Sequence, residues 1–403
     1  MHVVLVGTGT AGVTAARHVR KADPAARITL VSSEAREPFA RTALMYIYMG
    51  VLTQRHTWLY EERFWEENRI DRVVGQARGL DSGRSILDVD GAAISYYRLL
   101  IATGSTPVLP DWPGVGLTGV QGLYHLADLD RMEAATVGVS EAVVVGGGLI
   151  GVELAEMLRT RGIRVTFLVR DARYLPRTFS EAESALVAGA IRAHGVDLRL
   201  GAEVERIEGD DRVEAVVTTD GERHPAGFVG VGTGVRPSIE WLGDAVETDR
   251  GVLVDAALRT SAEGVWAAGD CAQLREPPPG VRAIEPIWYT ARLQGATAGL
   301  GMAGRARPYT PGVFFNSAKF FDLEWQVYGQ TGGEGADWEW TDGRRSVRIR
   351  HLRGAVIGVS ALGVRLRQTV CSRWIAERWA VDRAVADLPT ARFDPEFSSF
   401  VAT

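Results

Sequence analysis

VVLVGTGTAG at 3–12 and AVVVGGGLIGVELAE at 142–156 decide the fold. Each reads as a buried strand, a glycine turn and the start of a helix. After the first copy a helix is predicted over roughly Val13–Lys21, then a strand in ARITLVSSE at 26–34. After the second, GIRVTFLV at 162–169 reads as the following strand. Each copy is therefore a β-α-β unit, and two units this far apart imply two dinucleotide sites. The fold class that follows is α/β, with two Rossmann-like, three-layer domains.

In the first turn Gly7, Gly9 and Gly12 form GxGxxG, with Thr10 and Ala11 between the last two glycines. The first glycine permits a tight turn, the second lets a pyrophosphate approach the backbone, and the third lets helix and strand pack closely. Free N–H groups at the helix N-terminus then face the phosphates. An acid about 20 residues on is expected to hold a ribose hydroxyl. Glu34 stands near that place, with Ser33 as the alternative if the strand ends one residue earlier.

Gly146, Gly148 and Gly151, with Leu149 and Ile150 between the last two, repeat the arrangement without the acid. The strand RVTFLV ends at Val169, and Arg170 and Arg173 follow. A carboxylate there would hold a ribose 2′-OH and repel a 2′-phosphate, whereas an arginine can pair with that phosphate. NADPH is thereby favoured over NADH, although an arginine after a strand can also be a solvated surface residue.

Bulk properties narrow the function. The 403 residues are 46% hydrophobic and 24% charged, the signature of a globular protein too long for one ordinary domain. A net charge of −5 argues against nucleic acid as a partner. No apolar run approaches the ~18–20 residues needed to span a bilayer. The start of the chain lacks the features of a secretory signal, so a cytoplasmic location is expected. The two cysteines, Cys271 and Cys371, lie far apart and in no CxxC pair, which gives no support for a disulfide framework or a metal site. His125 and His194 lack ligand spacing and are read as structural. REPPPG at 275–280 reads as a rigid exposed loop. Beyond Gly312 the chain is rich in aromatics (Phe314, Phe315, Phe320, Phe321, Trp325, Trp338, Trp340, Trp374 and Trp379) and is read as a separate α+β domain with these rings mostly in its core.

Three further segments carry a family resemblance: LLIATGSTP at 99–107, FVGVGTGVRPS at 228–238 and GVWAAGDCA at 264–272. In this order, with the two glycine turns, they resemble the pyridine nucleotide-disulfide oxidoreductase superfamily over roughly residues 1–305. The resemblance implies an FAD domain in two parts, 1–110 and 235–310, a nicotinamide domain inserted at 111–234, and a C-terminal interface domain at 311–403 that usually supports a homodimer. It places Ala77, Ala102, Thr103, Gly104, Gly234, Gly269, Asp270 and Trp288 among the cofactor-binding candidates, Asp270 towards the FAD ribityl or pyrophosphate region.

Thioredoxin-like, glutathione-reductase-like and single-cysteine members carry a reactive cysteine beside the flavin. Here the matching stretch is FARTALMY at 39–46, and Thr42 stands where the cysteine would be. A threonine hydroxyl forms neither a mixed disulfide nor a sulfenic acid. The chain therefore resembles the cysteine-free branch, which holds ferredoxin, putidaredoxin and rubredoxin reductases, the nitrite reductase flavin module and apoptosis-inducing-factor-like proteins. Arg41 falls where that branch often has an arginine near FAD. Tyr46 falls near its usual flavin lysine, and Glu153 matches the glutamate paired with that lysine; these two are the catalytic candidates. The branch implies electron transfer from NADPH or NADH through FAD to a ferredoxin- or rubredoxin-type protein. A small-acceptor oxidase or quinone reductase and a redox-sensing flavoprotein are the competing readings.

Overall fold

A computed structural model describes residues 1–393. The first glycine-turn strand, His2–Val6, lies at the centre of a five-stranded parallel sheet. Arg27–Ser32 and then Ile70–Val74 lie on one side of it, and Arg98–Ile101 and Val265–Ala267 on the other. The inner strands are almost wholly buried, which is why they read as unbroken runs of Val, Leu and Ile rather than alternating patterns. The helix that follows the turn spans Thr10–Ala22, three residues earlier than its apolar pattern predicts. Gly9 is its N-cap and makes no side-chain cap, so the glycine turn alone marks the start and the apolar pattern begins only at Val13. The next strand stops at Ser32, leaving both Ser33 and Glu34 just past its end.

The second sheet repeats this plan. Glu141–Val145 is central, with Arg164–Val169 and Val196–Leu200 on one side and Phe228–Val231 and Val120–Gln121 on the other, all parallel. Helix Leu149–Thr160 follows the second turn and is capped by Gly148. The C-terminal segment forms a five-stranded antiparallel sheet in the order Phe315–Phe320, Leu323–Gly329, Ala355–Leu362, Ser346–Leu352, Ala336–Thr341. The helices Gln368–Ala376, Val381–Ala386 and Leu388–Ala391 follow it. Phe320, Phe321, Trp325, Trp374 and Trp379 are buried, as a core role for the aromatics requires. Residues 275–280 are exposed.

The chain forms two compact units. One comprises 1–107, 124–129 and 235–311; the other comprises 108–123, 130–234 and 312–403. The C-terminal sheet thus shares a unit with the second parallel sheet. Six residues, 124–129, return to the first unit from within a stretch that otherwise belongs to the second. Among the described residues no helix is long and apolar enough to cross a membrane.

Candidate functional site: two glycine cradles and a carboxylate–guanidinium cluster

The two glycine turns share one geometry. Gly7 and Gly146 each have φ of +110°, and a Cβ would fall 2.1 Å from the Ala102 carbonyl oxygen at Gly7 and 2.4 Å from the Gly232 carbonyl oxygen at Gly146. A Cβ on Gly12 would lie 2.0 Å from the Gly7 oxygen, and one on Gly151 would lie 1.9 Å from the Gly146 oxygen. These four glycines answer to the protein's own packing. Gly9 differs, since a Cβ there meets no atom within 4 Å; at Gly148 the nearest atom is 3.8 Å away. Packing does not require the middle glycine, so its bare backbone leaves room for a ligand. Both helices begin without a side-chain cap or an acid in the first turn, and their leading N–H groups suit a pyrophosphate. The residues present therefore fit a dinucleotide in each turn.

In the first unit the candidates Glu34, Arg41, Gly104 and Asp270 come together. Arg41 Nη1 and Nη2 donate to the two Glu34 carboxylate oxygens at 3.2 and 2.5 Å. His125 Nδ1 lies 3.1 Å from Glu34 Oε1, and the Leu126 N–H donates to the same oxygen at 3.1 Å. Burial opposes the Glu34 charge, but the hydrogen bonds from His125 and Arg41 outweigh it and hold the carboxyl at about 2, below the ordinary 4.5. A depressed carboxylate stabilises the fold above its unfolded value and loses that effect as pH falls through its folded value. Glu34→Gln should therefore cost about 2–3 kcal/mol near neutrality, allowing for partial solvent screening. Urea unfolding should show the gap from wild type closing between pH 4.5 and about 2. A gap independent of pH would mean that Glu34 acts by packing alone.

Asp270 sits at the other side of this cluster. Its Oδ2 accepts from Ser105 Oγ and from the Tyr124 hydroxyl, each at 3.2 Å. Burial pushes its carboxyl up, against the pull of those two hydroxyls and of Arg41. Gly269 donates its N–H to Gln294 Oε1 at 2.8 Å. Thr103 Oγ1 donates to the Ser238 carbonyl at 2.6 Å. Ala102 is buried under the glycine turn, and Ala77 is buried at the start of strand Ala77–Asp81. Trp288 opens helix Trp288–Met302, is 39% exposed, and packs edge-on against Tyr289. Ser33 and Thr42 are exposed; Tyr46 is half-buried in helix Leu44–Tyr48.

In the second unit Val169 closes the strand beside the turn, and a Cβ on Gly147 would lie 2.7 Å from its Cγ1. Arg170 is exposed, as are Asp171 and Gly234. Glu153 lies on the helix after the turn. Burial and the charge of Glu156 push its carboxyl up to about 7, with Lys319 pulling the other way. Lys319 Nζ, from the C-terminal sheet, donates to Glu156 Oε1 at 2.6 Å. Tyr46 belongs to the first unit and Glu153 to the second.

Both cysteines are free and buried. Burial pushes the Cys271 thiol up to about 11 and the Cys371 thiol still higher, which suppresses the reactive thiolate at neutral pH. Cys271 Sγ points at the Ile101 and Ala268 carbonyls, at 3.4 and 3.5 Å.

Sequence reading missed Tyr124, Ser105 and Lys319, and it set His125 aside. Ser105 follows ATG directly in LLIATGSTP, a signal that could have found it. Glu153 and Glu156 stand three apart on one helix, and that spacing points to a shared cation. Nothing near residue 124 announces its role, because the groups its side chain meets, Ser105, Arg41 and Asp270, are distant in sequence.

Comparison with known proteins identifies the family. The family model for pyridine nucleotide-disulphide oxidoreductases matches residues 1–295. The ferredoxin reductase component of a chlorobenzene dioxygenase from Cupriavidus sp. (strain PS12) is 34% identical over 316 residues, covering 77% of each chain. An NAD(P)H coenzyme A polysulfide/persulfide reductase from Pyrococcus horikoshii is 32% identical over 344 residues, 82% of this chain and 75% of that one. The crystal structure of a ferredoxin reductase for the CYP199A2 system from Rhodopseudomonas palustris superposes with a TM-score of 0.84 at 26% identity, covering 90% of this chain and 91% of that one. This chain belongs to the pyridine nucleotide-disulphide oxidoreductase family.

Proposed function

We propose that this protein is an FAD-dependent NAD(P)H oxidoreductase that favours NADPH and passes electrons to a ferredoxin- or rubredoxin-type protein. The observation that carries the reading is the pair of dinucleotide cradles combined with the lack of a reactive thiol: Thr42 stands at the cysteine position and both cysteines are buried. Relatives of both kinds exist, a ferredoxin reductase component and a persulfide reductase. A chain without a thiol nucleophile suits the first. When bound, FAD supplies the redox chemistry, taking up two electrons and releasing them one at a time.

The protein's own work is binding and alignment. Backbone N–H groups after Gly9 and Gly148 meet the two pyrophosphates, Asp270 accepts from a ribityl hydroxyl, and Arg170 pairs with the 2′-phosphate of NADPH. Glu153 accepts a hydrogen bond from the nicotinamide carboxamide. The inserted-domain boundaries at 111–234, the homodimer and the cytoplasmic location belong to the same proposal.

Two measurements test it. Anaerobic dithionite titration should take up about two electrons per FAD, where a flavin–disulfide pair takes about four. Cys271→Ser with Cys371→Ser should leave that number unchanged; a drop would return a thiol to the chemistry. Stopped-flow reduction should favour NADPH over NADH by about ten- to a hundredfold, the worth of a charge-assisted phosphate pair, and Arg170→Ala should remove most of the preference. A wild-type preference for NADH would overturn the assignment of Arg170 and turn attention to Asp171 as a ribose ligand.

A further inference from the structure

Residues 124–129 leave the second unit's stretch of sequence to join the first, and the reason lies in what they place there. Asp128 Oδ2 accepts the N–H groups of Tyr124 and His125, at 2.8 and 2.7 Å, and so fixes the backbone of both. Tyr124 then faces the cluster with both ends of its side chain. Its hydroxyl accepts the Ser105 N–H at 3.0 Å and donates to Asp270 Oδ2 at 3.2 Å. Its ring carries the Arg41 guanidinium, with Cζ 4.4 Å from the centroid, and its carbonyl accepts from Arg41 Nη1. Room for the hydroxyl is made by Gly104, where a Cβ would sit 2.8 Å from it. Burial and the nearby Asp270 raise the phenol, so the hydroxyl keeps its proton and remains a donor.

We propose that Tyr124 is a positioning residue of the flavin site: its hydroxyl aims the Asp270 carboxylate and its ring seats the Arg41 guanidinium. The inference rests on the proposed flavin function and extends it to a residue that no glycine or GD motif marks. Asp270 is one of two carboxylates in this cluster, and Arg41 is bound to the other, Glu34. Without the tyrosine side chain Asp270 loses one of its two hydroxyl donors and Arg41 loses the ring it lies over. Ser105 alone then remains on Asp270 Oδ2, and Arg41 keeps Glu34, the main-chain carbonyl of residue 124 and the Phe39 ring. A misdirected carboxylate and guanidinium leave the fold intact but fit the cofactor less well.

The test uses the purified holoprotein of wild type, Tyr124→Phe and Tyr124→Leu. Tyr124→Phe keeps the ring and loses only the hydroxyl; Tyr124→Leu loses both. FAD release on dilution, followed by the recovery of free-flavin fluorescence, gives the dissociation constant, and the visible circular dichroism of the bound flavin reports its surroundings. The expected result is retention weakened about tenfold in Tyr124→Phe, the worth of one charge-assisted hydrogen bond, and further in Tyr124→Leu, with an altered flavin band in both. The thermal unfolding midpoint of the flavin-stripped protein should fall only modestly in Tyr124→Phe, because the buried Ser105 N–H loses its acceptor. Wild-type retention and an unchanged flavin band in both variants would overturn the role. So would a lowered melting point with retention intact, since that is the mark of a merely structural tyrosine. A wild type that holds no FAD would overturn the flavin reading itself, and is told apart from those outcomes by the wild-type measurement alone.

Discussion

Gly12→Val is expected to unfold the first unit, whereas Gly9→Glu is expected to leave it folded and unable to hold FAD. The two positions are three residues apart in one turn, and their surroundings separate them. A Cβ on Gly12 would lie 2.0 Å from the Gly7 carbonyl oxygen, which is backbone and cannot swing aside. Gly7 is itself fixed at φ of +110° under the Ala102 carbonyl. Relief would require the helix to lift off the central strand, and Val3, Val4, Leu5, Val13 and Ala16 would lose their packing. Overpacking of this severity exceeds the ordinary ~1–3 kcal/mol of an inserted methylene, and a loss of about 4–5 kcal/mol is expected. A protein of this kind has little more than that in reserve. The variant should be recovered mainly as aggregate, or melt far below wild type. Gly9 has nothing within 4 Å of a Cβ, so a side chain there projects into the space the pyrophosphate needs. A carboxylate adds charge repulsion to the steric block. Circular dichroism and thermal melting should match the flavin-free wild type, while the 450 nm flavin absorbance disappears. Flavin content near wild type in Gly9→Glu would mean that the cradle does not hold the phosphates.

The second large effect is expected in the other unit. Arg348 and Glu183 are 2% and 0% exposed at their side chains, and their Nε to Oε2 distance is 2.8 Å. Arg348 directs its other donors to the Thr331 carbonyl at 2.9 Å, the Thr178 carbonyl at 2.7 Å and Asp337 Oδ1 at 3.4 Å. Glu183 also closes a capping box, accepting the Ser180 N–H at 2.9 Å while its own N–H donates to Ser180 Oγ at 3.1 Å. Arg348→Met would leave a buried carboxylate with no countercharge at its Oε2 and two carbonyls without a donor. Breaking such a pair from one side costs about 3–5 kcal/mol. Urea unfolding of the second unit should show that loss. The deficit should shrink as pH is lowered from 8 to 5. Burial already pushes the Glu183 carboxyl up, and without Arg348 it rises further, so acid supplies the proton that neutralises it. Replacing both partners, Arg348→Met with Glu183→Gln, should recover part of the loss. A deficit under about 1 kcal/mol would mean that the pair contributes no more than a surface ion pair.

Local sequence determined the two nucleotide-binding folds because their information is local. Val3–Val6 and Ala142–Val145 read as parallel strands since both faces are covered, and Gly12 is required by its contact with the Gly7 carbonyl inside the same turn. The lack of a CxxC pair was equally plain, because two isolated cysteines need no neighbours to interpret. The first helix starts three residues before its apolar pattern does. Its first turn is Thr10, Ala11 and Gly12 with no side-chain cap, so the amphipathic pattern starts only at Val13.

Only the tertiary structure decided how the polar residues combine. Glu34, Arg41, Ser105, Tyr124, His125 and Asp270 meet through parallel strands and a six-residue return of the chain, across separations of up to 236 residues between Glu34 and Asp270. No periodicity spans such distances. The energy that selects the arrangement is the cost of burying a charge without a partner, and that cost is settled only once loops have closed and water has been expelled. His125 looked isolated because its carboxylate lies 91 residues earlier in the sequence and 3.1 Å away in space. Glu156 meets Lys319 only because a strand of the C-terminal sheet packs there, for the same physical reason: the sequence names the charges, and the folded chain's low-dielectric interior requires each to be matched.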